Sequence, residues 1–441
     1  SFRKVDTETG AEADGTDLGL VNSNILGSTK ELNQEFRLNT AWDDVDWMVG
    51  VNFYRQDRES DVTTFFSGLI AAQFIGIPAR GAPLTESSAG ENRTDSFSAY
   101  GDATWHLNDK LNLTAGIRYS YDEKTFELID SGNDSLNGQG VIYPNLSQLA
   151  NPGISTFDES WSNVSGRIGM DYSPSDEVML FASISQGYKS GGFNTRLTLE
   201  RNDAGNFVSP AFATAPFDEE TNLNFEVGVK SDLMDGRLRL NSSVFYYVYN
   251  DLQILLADGN SPVARTVNAE EFVGYGLDTD VTYLATENLT FTVGLLALDS
   301  EFTEDVRDAQ GTVRQLSGSK RPWASDFSST LGVDYIVDLD DRGELRTNFT
   351  YAYKSDHQMR GTQVGEAYTK EDNAQDGYGL LNGRVSFNSA DETWEVALWG
   401  KNILDEAYKS NLLASSNSVA GVLLAARGEP RTFGIDATYK F

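Results

Sequence analysis

The 441-residue sequence predicts an all-β fold, a transmembrane antiparallel β-barrel of about sixteen strands with short periplasmic turns and long extracellular loops. Three observations carry this expectation. Apolar and polar residues alternate with period two along many segments, tight turns alternate with long polar excursions, and tryptophans gather where strands end.

The alternation is cleanest in three places. Between 111 and 122, Leu111, Leu113, Ala115, Ile117, Tyr119 and Tyr121 share one face, against Asn112, Thr114, Gly116, Arg118, Ser120 and Asp122 on the other. Between 345 and 354, Leu345, Thr347, Phe349, Tyr351 and Tyr353 oppose Arg346, Asn348, Thr350, Ala352 and Lys354. The last segment sets Phe433, Ile435, Ala437, Tyr439 and Phe441 against Thr432, Gly434, Asp436, Thr438 and Lys440. Successive side chains of a strand point to opposite faces, so each segment has one oily face and one wet face.

Sixteen segments read as strands: 1–5, 31–40, 45–55, 96–106, 111–122, 161–172, 178–188, 221–231, 237–252, 273–285, 289–301, 325–337, 344–357, 378–388, 393–402 and 430–441. Most exceed the mean soluble strand of about five or six residues and match the roughly 9–11 that cross a bilayer at a tilt. Backbone groups in lipid find no water, so a spanning sheet must close on itself and leave no edge.

Between these strands, tight connections fall at 41–44, 107–110, 173–177, 233–236, 286–288, 338–343 and 389–392, and long ones at 56–94, 123–159, 189–219 and 403–429. That asymmetry gives the sheet two unlike ends. Met234-Asp235-Gly236 and Asp340-Asp341-Arg342-Gly343 place glycine where a tight hairpin needs positive φ. The acidic run 338–341 reads as a solvated turn, because the ligand spacing and distal glutamate of a calcium loop are missing. Trp42, Trp47, Trp105 and Trp394 sit at or near short turns, and Trp161 and Trp323 where long loops enter strands, as in the aromatic girdles of a membrane barrel.

Composition narrows the function. With 34 basic against 66 acidic residues, the net charge of −32 repels phosphate backbones, so no nucleic-acid partner is expected. The 19 Tyr, 24 Phe and 7 Trp are too many for a disordered acidic chain. No stretch approaches the ~20 apolar residues of a membrane helix. Zero cysteines exclude a disulfide framework and leave the compartment open. Ser1 stands in a polar segment, so a leader is expected to be absent or removed.

Four segments and the carboxy terminus carry a family resemblance. They are Gln34-Glu35-Phe36-Arg37-Leu38; Gly187-Tyr188-Lys189-Ser190-Gly191-Gly192-Phe193-Asn194; Phe225-Glu226-Val227-Gly228-Val229-Lys230; and Lys401-Asn402-Ile403-Leu404-Asp405-Glu406-Ala407-Tyr408. The chain ends on Phe441 after Gly428-Glu429-Pro430-Arg431. In this order they resemble the carboxy-terminal barrel of a TonB-dependent outer-membrane receptor, over essentially the whole chain. The resemblance implies a multi-pass protein of the bacterial outer membrane, in contact with its lipid and lipopolysaccharide. It also implies a plug domain, a TonB-contact segment and a barrel of about twenty-two strands, an even count as bacterial barrels have. This sequence shows no plug, so residues 1–441 are expected to be one barrel domain, incomplete at its amino-terminal side, with TonB engaged through a segment outside them. A complete sixteen-stranded barrel is the alternative.

The function so implied is active import of a scarce large ligand, most commonly a ferric siderophore; the alternative is a passive sixteen-stranded porin, and beyond it a soluble or surface β protein used for adhesion. Anionic ligands call for arginine and aromatic side chains in the outer loops. The candidates there are Arg80, Arg93, Tyr143, Phe193, Arg201, Arg314, Arg321, Arg360 and Arg427, each of which could instead serve ordinary ion pairs. Arg265, Phe207, Phe212 and Phe217 belong to the same loops. Arg37, Arg118, Arg167, Arg239, Arg346 and Arg384 alternate with outward apolar residues and are expected to face the lumen, against a plug, a water channel or neighbouring acids such as Glu35 and Asp171. Two apolar loop runs, 65–78 and 419–426, either pack on themselves or meet a surface partner. No catalytic site, metal site or cofactor is assigned. Only His106 and His357 are present, in different strands, which also argues against haem as the ligand, and no phosphate-cradling glycine loop occurs.

Overall fold

The computed structural model describes residues 2–12, 21–66, 84–132, 155–194, 200–201, 207–208, 216–257, 264–307, 313–361, 371–414 and 423–440. Among them, sixteen long strands form one sheet: β1 Phe2–Glu12, β2 Val21–Ala41, β3 Val45–Phe66, β4 Leu84–Asn108, β5 Leu111–Gly132, β6 Ser155–Ser175, β7 Val178–Lys189 and β8 Glu220–Leu233. They continue with β9 Leu238–Ala257, β10 Ala264–Thr286, β11 Leu289–Phe302, β12 Phe327–Asp338, β13 Gly343–Lys354, β14 Tyr378–Ser389, β15 Trp394–Lys401 and β16 Thr432–Tyr439. Each strand pairs antiparallel with its sequence neighbours, an up-and-down meander with β1 and β16 at its two edges.

The register shows which face is which. Ala115, Ile168, Ile184, Phe225 and Tyr246 are direct partners across β5 to β9, so they form one row. Apolar side chains on this face are open: Ile168 is 67% exposed, Ile117 62% and Ile435 71%. A soluble sandwich would bury them, whereas a sheet in lipid leaves them facing hydrocarbon. Aromatic pairs stand at the short-turn end of this wall, Trp42 with Trp47 at 5.9 Å between rings and Trp394 with Tyr439 at 4.6 Å.

β2 to β6 outrun the expected strands. They are 21, 22, 25, 22 and 21 residues long, about 70 to 85 Å at roughly 3.4 Å per residue, against a hydrocarbon core of about 30 Å. The sequence reading ended β3 at 55 and began β4 at 96, but the ladder runs without a break from Val21↔Phe66 and Phe66↔Leu84 down to the turns. Above the membrane both faces meet water, so hydrophobic alternation stops while backbone pairing continues. Cross-strand ions replace the apolar rows: Arg55 Nε lies 2.6 Å from Asp95 and Arg93 Nε 2.7 Å from Asp57. The expected strand over 344–357 divides instead, with β13 ending at Lys354 and His357 entering a separate ribbon with Gln375.

Turn geometry follows residue type. Met234, Asp235 and Gly236 take left-handed φ of 58°, 58° and 80° in the four-residue loop between the paired Leu233 and Leu238, where the Arg237 N–H donates to Met234 O at 3.2 Å. At the turn after β14, Asp391 accepts hydrogen bonds from the Ser389 and Thr393 hydroxyls and the Thr393 N–H, which pull its carboxyl down to about 2. Inside the sheet, rings lie over glycines of the next strand: Tyr100 over Gly50, Phe181 over Gly228, Tyr247 over Gly274 and Phe245 over Gly276. Each glycine leaves the space that the ring occupies, which restores packing the missing side chain would forfeit.

Candidate ligand-binding mouth and lumen

The six arginines Arg37, Arg118, Arg167, Arg239, Arg346 and Arg384 project from the face opposite the lipid-facing rows, and five of them have defined partners. Arg167 forks onto Asp102, Nε at 2.8 Å and Nη2 at 3.0 Å. It reaches across β5 because Gly116 stands between them, where any side chain would overlap the Asp102 carboxylate. Arg384 bridges Asp436 at 2.6 Å and Glu395 at 2.7 Å. Arg239 meets Asp232 at 2.7 Å and Arg346 meets Glu344 at 2.5 Å. Arg118 donates to the Ser98 hydroxyl at 2.8 Å and lies over the Tyr100 ring at 5.6 Å. Glu35, expected beside arginine, accepts from the Tyr100 hydroxyl instead.

These pairs brace the wall. A double-mutant cycle with Arg167→Gln and Asp102→Asn is expected to give a coupling of about 0.5–1 kcal/mol in the unfolding free energy, because Arg167 is largely open to the bore. A coupling of several kcal/mol would mean that the pair is effectively buried.

Beyond the membrane, the loop ends are knotted together by short polar links. Asn194 donates to Thr266 O at 3.1 Å and accepts from Thr266 N at 2.8 Å. Gln253 Nε2 donates to Ser190 O and Asp218 O, both at 3.0 Å, and its N–H reaches Glu220 at 2.8 Å. Gly191 has Trp161 against it at 2.5 Å from where a Cβ would lie. A second link centres on Asn402, in left-handed conformation at φ 46°, which donates to Glu406 O at 2.8 Å and Glu429 O at 3.1 Å. Two motifs behind the resemblance, 187–194 and 401–408, thus act as loop clamps.

The sequence candidates for ligand contact scatter. Arg80 and Tyr143 lie outside the described residues, as do 67–78 and 419–422 of the two apolar runs. Phe65 and Phe66 end β3, and Leu423–Arg427 pairs with Lys409–Ala414 in a ribbon. Arg93 is not in a loop: it sits within β4, paired with Asp57 on the outer wall, because the ladder extends further than the alternation suggests. Phe193 packs with Phe126 and Trp161, at 6.4 and 6.3 Å between rings. Arg201 lies in a two-residue ribbon with Phe207, Arg314 in the ribbon Val313–Gln315, and Arg360 is half-buried in a bend. Arg427 and Arg321 are exposed.

Arg321 stands within electrostatic reach of the Tyr247 hydroxyl, beside Ser300. Among the described residues no ion pair includes Arg321, whereas its neighbour Lys320 turns to Asp326 at 2.5 Å and Asp299 at 3.7 Å. Tyr247 belongs to a run on the lumen face of β9 that the sequence reading missed: Phe245, Tyr247 and Tyr249, rising into a buried cluster of Phe272, Phe302, Leu252 and Leu256. The signal was present as three alternate aromatics, of which Phe245 and Tyr247 face Gly276 and Gly274 and Tyr249 faces Phe272, but it required the β9–β10 register to be seen.

Comparison with known proteins agrees with this architecture. Residues 3–403 match the family described as TonB dependent receptor-like, beta-barrel. The pesticin receptor of Yersinia pestis is 23% identical over 358 residues, 80% of this chain and 45% of that protein. The metal-pseudopaline receptor CntO of Pseudomonas aeruginosa is 30% identical over 181 residues, 38% of this chain and 23% of that protein. Among solved structures, the ferric yersiniabactin uptake receptor FyuA from Yersinia pestis superposes with a TM-score of 0.71 at 20% identity, covering 96% of this chain and 56% of that one. The chain therefore spans about half the length of the curated pesticin receptors it matches. Lipid-facing rows, a wet inner face and a match over most of the sequence agree: the chain belongs to the TonB-dependent receptor β-barrel family.

Proposed function

We propose that this chain is the barrel of an outer-membrane TonB-dependent active importer whose ligand is an anionic ferric siderophore. The observation that carries the reading is the mouth itself: an exposed Arg321 within electrostatic reach of the Tyr247 hydroxyl, beyond a wall whose Arg167, Arg239, Arg346 and Arg384 are each paired with acids. A free guanidinium next to aromatic rings takes up a bulky anion by charge and stacking together. The relatives named for pesticin, metal-pseudopaline and ferric yersiniabactin support the same class. In this reading TonB supplies the energy for import. The outer wall meets lipid along its apolar rows and lipopolysaccharide above them, where Lys30, Arg55 and Arg93 stand beside acids.

Uptake of radiolabelled iron chelates by cells expressing the complete receptor tests this. Accumulation is expected to fall to background, about tenfold or more, when TonB is deleted. A passive porin would admit solute equally in both strains, and that result would remove the proposal.

A further inference from the structure

We infer that the wall carries a fork between β6 and β7, shut from the bore side by residues 191–193 acting as a flap, and that the flap lifts to admit a bulky ligand. The ligand's passage rests on the import reading above, whereas the fork and the flap stand on the fold alone.

The fork is a matter of register. β6 pairs with β5 from Tyr172 up to Ser155, and β7 pairs with β8 as far as Lys189. Between β6 and β7 the ladder ends at Arg167↔Ser185. Among the described residues, 155–166 of β6 therefore rise with no strand on their β7 side. The gap starts at the level of Ile117 and Val164, whose exposed side chains face hydrocarbon, and continues above the apolar band. A stretch without ladder bonds is a weak line in a sheet. Asn163 Oδ1, on the same face of β6 as Trp161, is buried with no hydrogen-bond partner, an unmet group that costs stability and marks an imperfect closure.

The gap is covered by chain that has turned inward. After Lys189 the segment 190–194 crosses to the lumen face of β5 and β6. The Phe193 ring lies 6.4 Å from both Phe126 and Phe157 and 6.3 Å from Trp161. Lys124 stands over the Trp161 ring at 5.6 Å and donates to Gly191 O at 2.5 Å. Gly191 and Gly192 permit the approach: a side chain on the first would overlap the Trp161 ring and the Phe217 carbonyl, and one on the second the Phe217 ring. Two consecutive glycines also turn more freely than other residues, which suits a pivot.

The flap is held unequally on its two flanks. Toward β9 and β10, Gln253 donates to Ser190 O at 3.0 Å, and Asn194 exchanges two hydrogen bonds with the Thr266 backbone. Toward β5 and β6, one hydrogen bond joins it among the described residues, that of Lys124, and the rest is ring packing. Packing of rings is non-directional and re-forms readily after parting, whereas the bonds to the β9–β10 hairpin are directional. Lifting thus separates the flap from β5 and β6 and leaves it on the hairpin. It uncovers Phe126 and Trp161, 1% and 5% exposed when the flap is down, and widens the mouth across the gap.

The chain has no cysteine, which gives a clean background for paired labels. In the complete receptor, spin labels at Ser162→Cys and Gln186→Cys report across the gap, and labels at Met170→Cys and Ala182→Cys across the intact ladder. Lys124→Met and Phe193→Ala are each expected to lengthen and broaden the first separation and to leave the second unchanged. An unchanged separation across the gap in both variants overturns the flap. For passage, Phe126→Cys and Phe193→Cys are bridged in cells by a short reducible dithiol reagent. Uptake of a radiolabelled iron chelate is expected to fall about tenfold and to recover on reduction. Should that pair fail to assemble, Ser162→Cys and Gln186→Cys bridged by the same reagent take its place. A bridged receptor that transports as well as the unbridged one overturns the inference. Uptake that does not depend on TonB removes the import reading instead, and the label separations still decide the flap.

Discussion

Gly343→Ala is expected to destabilise the barrel by about 2–5 kcal/mol, the sum of a strained backbone and an overlap that nothing flexible can relieve. Gly343 closes the turn Asp340–Arg342 at φ 121°, a conformation that side-chain-bearing residues rarely adopt. An added methyl would coincide with the Asn388 carbonyl of the paired strand β14 and approach Ala390 N, in the turn that follows it, to 2.9 Å; both are backbone. Relief therefore requires the β13–β14 hairpin itself to move. Gly236 provides the internal standard. It also has positive φ, 80°, but nothing lies within 4 Å of its added methyl, so Gly236→Ala is expected to cost only about 1 kcal/mol. Unfolding of the two variants in detergent, followed by heat-modifiable gel migration and tryptophan fluorescence, distinguishes them. Equal losses would mean that torsion alone, without contact, sets the cost at Gly343.

Ile168→Arg is expected to lower stability by about 2–4 kcal/mol in a lipid bilayer, the cost of a guanidinium near the midplane of a barrel wall. Ile168 lies in the row between Ala115 and Ile184 that continues to Phe225 and Tyr246, and its side chain is 67% exposed to what must be hydrocarbon. The matched change on the other face is Ser183→Arg. Ser183 lies opposite Glu226 across the β7–β8 ladder, so a new arginine there meets water and a carboxylate, at an expected cost below about 1 kcal/mol. Unfolding from lipid vesicles measures both. If Ser183→Arg proved the more damaging, the assignment of the two faces would be reversed, and the transport reading with it.

Much of the barrel was legible because lipid writes a simple rule into the sequence. Where one face of a strand meets hydrocarbon and the other meets water, side chains alternate, and the segment containing Ile117 reads as a strand without any partner in view. The same rule explains where reading failed. Residues 56–66 and 84–94 extend β3 and β4 with polar groups on both faces, and no alternation marks them. Phe193 and Arg93 read as loop contacts, since side-chain type carries no record of whether a neighbour is a ligand, a ring from another strand or a carboxylate.

The sequence by itself determined that this chain is a membrane sheet of sixteen strands with two unlike ends, and that its inner face carries arginines. Those facts depend on period and composition, which are local. Only the tertiary structure decided that Arg167 is engaged by Asp102 across Gly116, that motif 187–194 clamps loops, and that the Phe245 and Tyr247 rings cover Gly276 and Gly274 of the next strand. Each depends on register between strands, and register is set by hydrogen-bonded pairing over long sequence separations, which no single strand contains.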